Sequence, residues 1–382
     1  MVFLKKVLII FICLFIFSIN AHADDMNLSA ESAVLMEAST GKILYEKDKD
    51  KALSPASMTK MMTLLLTMEK LDEGLINLND GVTISKRASD MGGSQVFLEE
   101  GATYKLEDII KAVSIASAND GAVVLAETIG GSVENFVSLM NKRAKELGLS
   151  STSFVNPYGL DAKGHQSSSL DMAKIARELI KHEKILKYTS MYEDHLKKAD
   201  GSSLWMVNTN KLVRFYSGVD GLKTGFTDNA GYCMTATGKW NDLRLIAVVM
   251  KEPSREERDK DITALLNYGK SNYKIKKILD KNKKVGTINI NLGEKQKNDI
   301  YLKEDISYLY KSNQKINDYS YEVKTKDVNA PLKRGSVVGK IKVYSNKKYK
   351  GSFDLIIKED IKKCSIFKLL KRIIKISISG TI

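Results

Sequence analysis

The apolar and polar positions divide the chain into stretches of different texture. Residues 7–19 form an apolar run interrupted only by Ser18, preceded by Lys5 and Lys6 and followed by Ala21-His22-Ala23. A basic start, a short apolar core and a small-x-small site are the parts of a secretory signal peptide. The run is short for a membrane-spanning helix. Residues 1–23 are therefore expected to direct export and to be removed.

Two apolar runs, 33–38 and 42–46, flank Ser39-Thr40-Gly41 and predict a β-hairpin. A helix is expected over 55–71. Residues 106–149 carry helical periodicity interrupted at Gly130-Gly131, which predicts an all-α segment, and 171–182 predict a further helix. Strand patterns at 219–226, 232–237 and 243–250 follow, with a turn at 238–242, and 262–278 is expected to form a closing helix. Strands, helices and strands again imply an α+β fold: helices packed on an antiparallel sheet, with an all-α insertion. From residue 281 short alternating runs (285–290, 321–326, 337–343) predict a separate small β domain. The expected division is 1–23 signal peptide, 24–278 main domain, 281–358 β domain and 361–382 tail.

The tail changes the meaning of the net charge of +14. Between 361 and 376, Ile366, Phe367, Leu369, Leu370, Ile373 and Ile374 interleave with six lysines and arginines and no acid. On a helix this makes an apolar stripe beside a cationic face, the pattern of a helix lying in an anionic membrane surface. A terminal helix docked on the β domain is the alternative. With export expected, the positive charge points to membrane phospholipid or wall polymer, and no nucleic-acid partner is expected. Cys13 leaves with the signal peptide; Cys233 and Cys364 form no disulfide framework, and the four histidines make no metal motif. No metal or cofactor is expected.

Three short motifs carry chemistry. In Ser54-Pro55-Ala56-Ser57-Met58-Thr59-Lys60, Ser54 and Pro55 read as N-cap and first helical residue. That puts Ser57 in the first turn, where free N–H groups can stabilise an oxyanion. Lys60, three residues on, shares its face and can serve as base if burial strips its proton. Ser-x-x-Lys alone is a weak signal. It gains force from Ser117-Ala118-Asn119 in the all-α segment and Lys223-Thr224-Gly225 in a strand, in that order.

With these motifs the sequence resembles the penicillin-binding low-molecular-mass D-alanyl-D-alanine carboxypeptidases, peptidase family S11. The likeness extends to 156–161 (Asn-Pro-Tyr-Gly-Leu-Asp), 220–227 (Asp-Gly-Leu-Lys-Thr-Gly-Phe-Thr), 230–233, and the β-domain motifs at 330–332 and 337–339. The resemblance implies a penicillin-binding/β-lactamase-like fold with a small C-terminal β domain and an amphipathic anchor at the outer face of the cytoplasmic membrane. It implies removal of the terminal D-alanine from peptidoglycan stem peptides, and inhibition by β-lactams. By the same resemblance Ser57 is the acylated nucleophile, Lys60 its base, and Ser117 a proton shuttle. Asn119 binds the substrate amide, Lys223 supplies electrostatics, Thr224 holds the terminal carboxylate, Gly225 and Phe226 follow it as substrate-binding residues of the same strand, and Arg258 also binds that carboxylate. The N–H groups of Ser57 and Phe226 form the oxyanion hole, with Phe226 standing where some relatives carry histidine.

The remaining candidates get plainer readings. His165 is expected to be structural, Asn156 and Asp161 to brace a turn, and Cys233 to be a packed thiol. Trp205, with Asn208 and Asn210, is expected at the cleft edge or in the core. A D,D-endopeptidase would use the same residues. A β-lactamase would share the motifs, but the chain lacks a Glu-x-x-Leu-Asn loop. A non-catalytic wall-binding protein would be expected to have lost one motif.

Overall fold

The computed structural model describes residues 26–314 and 318–379, so the expected signal peptide lies outside the described residues. Strands β1 (Ser32–Glu37) and β2 (Ile43–Lys47) form the predicted hairpin. The Glu37 carboxylate accepts the N–H groups of Ser39 and Thr40, both at 2.8 Å, and Gly41 takes a φ of +70° to close the turn. All six residues of β1 are buried because the strand lies inside the sheet with helices on both faces. Its alternate side chains feed two cores: Val34 and Met36 one, Ala33 and Leu35 the other.

A short 3₁₀ turn (Ala56–Thr59) leads into α1 (Lys60–Asp72). Met61, Met62, Leu64, Leu65, Leu66 and Met68 are all buried there. A helix apolar all round is a core helix, and each such side chain contributes roughly 1.5–3 kcal/mol by leaving water. The all-α segment follows as α2 (Asn119–Gly130) and α3 (Val133–Glu146). They break where expected, at Gly131 (φ +74°), and Ser132 caps α3 by accepting the Asn135 N–H. Next come α4 (Ser169–Leu179) and a hairpin of β3 (Glu193–Lys197) and β4 (Ser203–Val207). Strands β5 (Val219–Thr227), β6 (Gly231–Trp240) and β7 (Leu243–Glu252) complete the main sheet. The five-stranded order is β2-β1-β7-β6-β5, antiparallel at every pairing, so β5 is an edge.

The closing helix departs from its expected bounds. Helix α5 runs Arg255–Asn272, and Tyr273–Leu279 is not helix but a strand, β8. Ser254 caps α5 by accepting the Glu257 N–H at 3.1 Å. The first turn is entirely charged, so no apolar periodicity announced it.

Strands β9 (Lys284–Asn291), β10 (Lys297–Leu302), β11 (Ile306–Lys311), β12 (Tyr319–Thr325), β13 (Val337–Ser345) and β14 (Lys348–Ile356) build the β domain. β11 pairs with β8, and the others form a sheet in the order β12-β13-β14-β10-β9, extended by a short strand at Val328–Asn329. The last helix, α6 (Ile366–Ser379), starts later than the tail reading at 361. Ile361 is buried and exchanges backbone bonds with Leu332, and the Cys364 N–H donates to Leu292 O, so 361–364 is fastened to the β domain. Ile366, Phe367, Leu370 and Ile374 are exposed. Among the described residues no single helix is long and apolar enough to cross a membrane.

Candidate active site

The nucleophile motif is built differently from a capped helix start. Ser54 does not cap the helix; its hydroxyl donates to Asp161 Oδ1 at 2.7 Å. Pro55 takes the N-cap place of the 3₁₀ turn without a side-chain bond, and buried Ala56 adopts a φ of +45°. A non-glycine residue in that region carries strain that the surroundings must hold. They do so through one relay. The Val155 N–H donates to His165 Nδ1 (3.0 Å), His165 Nε2 meets Thr59 Oγ1 (2.8 Å), and Thr59 donates to Ala56 O (2.8 Å). With Nδ1 accepting and Thr59 donating onward, Nε2 must carry the proton. Burial accordingly holds the His165 pKa down to about 4. His165 is structural, as expected.

Ser57 sits in this turn, and Gly225 of β5 lies against it. A Cβ on Gly225 would meet Pro55 O at 2.8 Å and Ser57 N at 3.1 Å. Opposite lies the 156–161 motif. Gly159, at φ +90°, approaches Ala56 so closely that a Cβ would fall 1.9 Å from its carbonyl oxygen. Only glycine fits there. Asn156 folds this loop by accepting the Gly159 N–H at 2.6 Å and donating to Leu160 O at 2.8 Å.

Lys60 is fully buried. Its Nζ lies 2.9 Å from Ser57 Oγ, 2.7 Å from Asn119 Oδ1 and 2.7 Å from Tyr158 O. Burial, and then the charge of Lys223, push its pKa well below the usual lysine value, although Asp120 opposes them. A neutral amine has two N–H bonds and one lone pair. Asn119 Oδ1 and Tyr158 O can only accept, so they take the two N–H bonds, and the lone pair is left for the Ser57 hydroxyl.

Asn119 is fixed from its other end, where Nδ2 donates to Gly92 O at 2.7 Å. Asp120 braces the same loop by accepting the N–H groups of Val96 (3.0 Å) and Leu98 (3.2 Å). Ser117 ends a π-type stretch (Ala112–Ala116) in the left-handed region (φ +63°) and is buried. Such bulges and strained residues concentrate at functional sites.

On β5, Lys223 is buried, donates to Thr224 O at 3.0 Å, and has its pKa lowered to about 7 by burial and by Arg258. Arg258 is likewise buried in the first turn of α5, with Nε and Nη2 both on Asp259 Oδ1 (2.9 and 2.7 Å). Thr224 Oγ1 donates to Thr209 Oγ1 at 2.7 Å. Phe226 is half exposed, its ring 4.4 Å from that of Tyr232.

Sequence reasoning missed the Tyr158 carbonyl, Thr209 and the Asp120 brace. Asn208 and Asn210 are buried loop braces: Asn208 donates to Thr189 O and Met191 O, and Asn210 to Gly221 O. Trp205 is 59% exposed, which excludes its core reading. Cys233 is a buried thiol whose pKa burial pushes up to about 12, so it is inert.

Residues 19–254 match the peptidase S11 family, D-alanyl-D-alanine carboxypeptidase, and residues 273–363 match the penicillin-binding protein 5 C-terminal domain. The chain is 44% identical to D-alanyl-D-alanine carboxypeptidase DacF of Bacillus subtilis over 90% of its length and 88% of the relative's. It is 33% identical to D-alanyl-D-alanine carboxypeptidase DacD of Escherichia coli, over 96% of its length and 98% of the relative's. The crystal structure of penicillin binding protein 5 from Haemophilus influenzae superposes with a TM-score of 0.69 at 32% identity, over 88% of this chain and 98% of that one. Motif, fold and sequence agree, and the chain belongs to the serine D-alanyl-D-alanine carboxypeptidases of peptidase family S11.

Proposed function

We propose that this chain acts outside the cytoplasmic membrane on stem peptides of peptidoglycan, cleaving the terminal D-alanine through an acyl-enzyme on Ser57. The observation that carries the reading is the Lys60 amine, whose two N–H bonds are taken by Asn119 and Tyr158 and whose lone pair faces Ser57. In the first step Ser57 Oγ attacks the carbonyl of the penultimate D-alanine while its proton passes to Lys60. The N–H groups of Ser57 and Phe226 receive the oxyanion. Collapse breaks the peptide bond, and the proton reaches the leaving amine by way of Ser117. Water then hydrolyses the ester and restores Ser57. Asn119 holds the substrate amide. Thr224, charged Lys223 and Arg258 hold the terminal carboxylate. β-Lactams acylate the same Ser57.

Helix α6, with exposed Ile366, Phe367, Leu370 and Ile374 among lysines, supports a second part of the proposal. It would lie in an anionic membrane surface and tether the enzyme after export through the 1–23 signal. The functional division shifts two of the expected boundaries: a catalytic unit ending with α5, a β domain that includes β8 and residues 361–364, and an anchor in α6.

The test is release of D-alanine from a peptide ending in D-alanyl-D-alanine, with labelled penicillin and a Ser57→Ala control. Release together with Ser57-dependent labelling is expected. Labelling without release would point to cleavage of cross-links, and rapid turnover of penicillin to a β-lactamase. Neither signal from a folded sample would leave a wall-binding protein.

A further inference from the structure

Between the β1–β2 turn and the β domain lies a groove that takes no part in the reaction above. Its volume is about 360 Å³, within the range of small-ligand sites. The turn contributes Lys42, helix α4 contributes Arg177, and the strands of the β domain contribute Tyr308, Tyr319, Lys350 and Phe353. The walls are fastened to each other. β11 pairs with β8, which continues α5, and Leu309 of β11 is buried in the same core as Leu35 and Leu245 of the main sheet.

The lining combines free charge with flat apolar faces. Lys42, Arg177 and Lys350 make no ion pair among the described residues. Arg177 uses Nε and Nη2 on the carbonyls of Ala38 (2.6 Å) and Ser39 (2.8 Å), which fixes the guanidinium against the turn and leaves its charge uncompensated. Two acids also line the groove. Asp305 is neutralised by Lys277 at 2.7 Å and accepts the Lys281 N–H, whereas Glu304 is exposed and, among the described residues, unpaired. The rings of Tyr308 and Tyr319, 5.1 Å apart, and of Phe353 are half-buried and supply apolar faces. An anion without hydroxyls would leave the rings and Glu304 unused. A neutral sugar would leave the three cations unused. A polyol phosphate uses all of them: cations for the phosphate, rings for the carbon chain, and a carboxylate to accept from its hydroxyls. The surroundings favour a polymer of such units. Residues 281–364 carry twenty lysines and arginines against ten acids, so most of the chain's charge of +14 would draw a polyanion to this side.

We propose that the groove binds a unit of an anionic polyol-phosphate polymer of the wall, its phosphate held by Lys42, Arg177 and Lys350. Titration calorimetry of the full chain with a soluble oligo(glycerol phosphate) tests this. Binding is expected, and it should weaken as salt rises. Lys42→Ser combined with Lys350→Ser should raise Kd roughly tenfold, about what two exposed ion pairs supply. Lys297→Ser combined with Lys326→Ser removes the same charge outside the groove and should change Kd less than about twofold. Equal melting temperatures of the three proteins check their folding. Glycerol 3-phosphate should displace the oligomer at lower concentration than inorganic phosphate does. Phosphatidylglycerol vesicles, taken up by α6, should leave the oligomer bound. Absence of binding, an equal loss in both double variants, or equal competition by inorganic phosphate would overturn the site. Displacement by the vesicles would assign the groove to lipid headgroups and overturn the polymer. Because the readout is binding and not release of D-alanine, none of these outcomes touches the carboxypeptidase reading.

Discussion

The catalytic region and the β domain bury different things. In the first, Lys60, Asp120, Lys223, Glu252 and Arg258 are all inside. In the second, the core is Ile288, Ile290, Ile300, Leu302, Val338, Ile341, Val343 and Leu355, and among the described residues no charged side chain there is buried. Taking a charge out of water costs several kcal/mol unless the group is paired or gives up its charge. The β domain avoids that cost by filling its core with apolar side chains and leaving its charged ones at the surface. The catalytic region accepts it, and the cost is what makes Lys60 a base.

The comparison can be broken most sharply at Lys60. Replacing it by methionine should lower the rate of penicillin acylation by about 10²–10⁴-fold, the range for loss of a positioned base. The melting temperature should move little, because relief from burying an amine offsets the two carbonyl acceptors left bare. Gly159→Ala comes next. A methyl group on the Ala56 carbonyl should destabilise the domain by about 3 kcal/mol or more, seen as loss of thermal stability and of penicillin labelling together. Ile341→Ala in the β domain should cost roughly 2–4 kcal/mol in the unfolding of that domain, with the acylation rate of folded protein unchanged. A large drop in rate there would show that the two regions are not independent.

A pH profile sharpens the same contrast. Lys60 must be neutral, so acylation rises with pH as its proton leaves. Lys223 must be charged, and its pKa of about 7 places the falling limb near neutrality. Lys223→Arg, which keeps the charge, should move that limb to higher pH. Both lysines titrate lower in the folded state than in the unfolded chain. Between the folded and unfolded values the unfolded chain binds more protons, so Lys223 makes stability rise with pH from about 7 upward. The smallest effect is expected from Lys284→Ala, which removes an exposed ion pair with Asp299 (2.7 Å). Less than about 0.5 kcal/mol should change.

Legibility followed the same divide. The β-domain strands at 284–291 and 337–345 were readable because their alternation is what folds them. Ser57, Lys60, Asn119 and Lys223 were readable because short motifs carry them, and the structure brings Lys60 against both Ser57 and Asn119. What was hidden is supplied by backbone or by distant loops. The Tyr158 carbonyl is available in every residue and marks nothing in a sequence. Thr209 matters only because the Asn208 and Asn210 side chains hold its loop beside β5. Ser54-Pro55 had the composition of a helix start, but long-range partners, Asp161 and Gly159, reshaped the turn. The first turn of α5 failed for the opposite reason: Arg258 and Asp261 are buried, so a segment without apolar residues still faces inward.

The position of β5 at the edge of the main sheet has a consequence for the protein's life in a crowded envelope. An open strand edge is a template for any extended chain, including a strand from another copy of the protein. Here the turn 56–59 packs on the face of the sheet, against Gly225 and, through Met58, against Thr235 of β6, and not on the outer hydrogen-bonding side of β5. The nucleophile is thereby set beside a strand whose outer side can take an extended peptide end, and the same openness is a liability towards a strand from another copy.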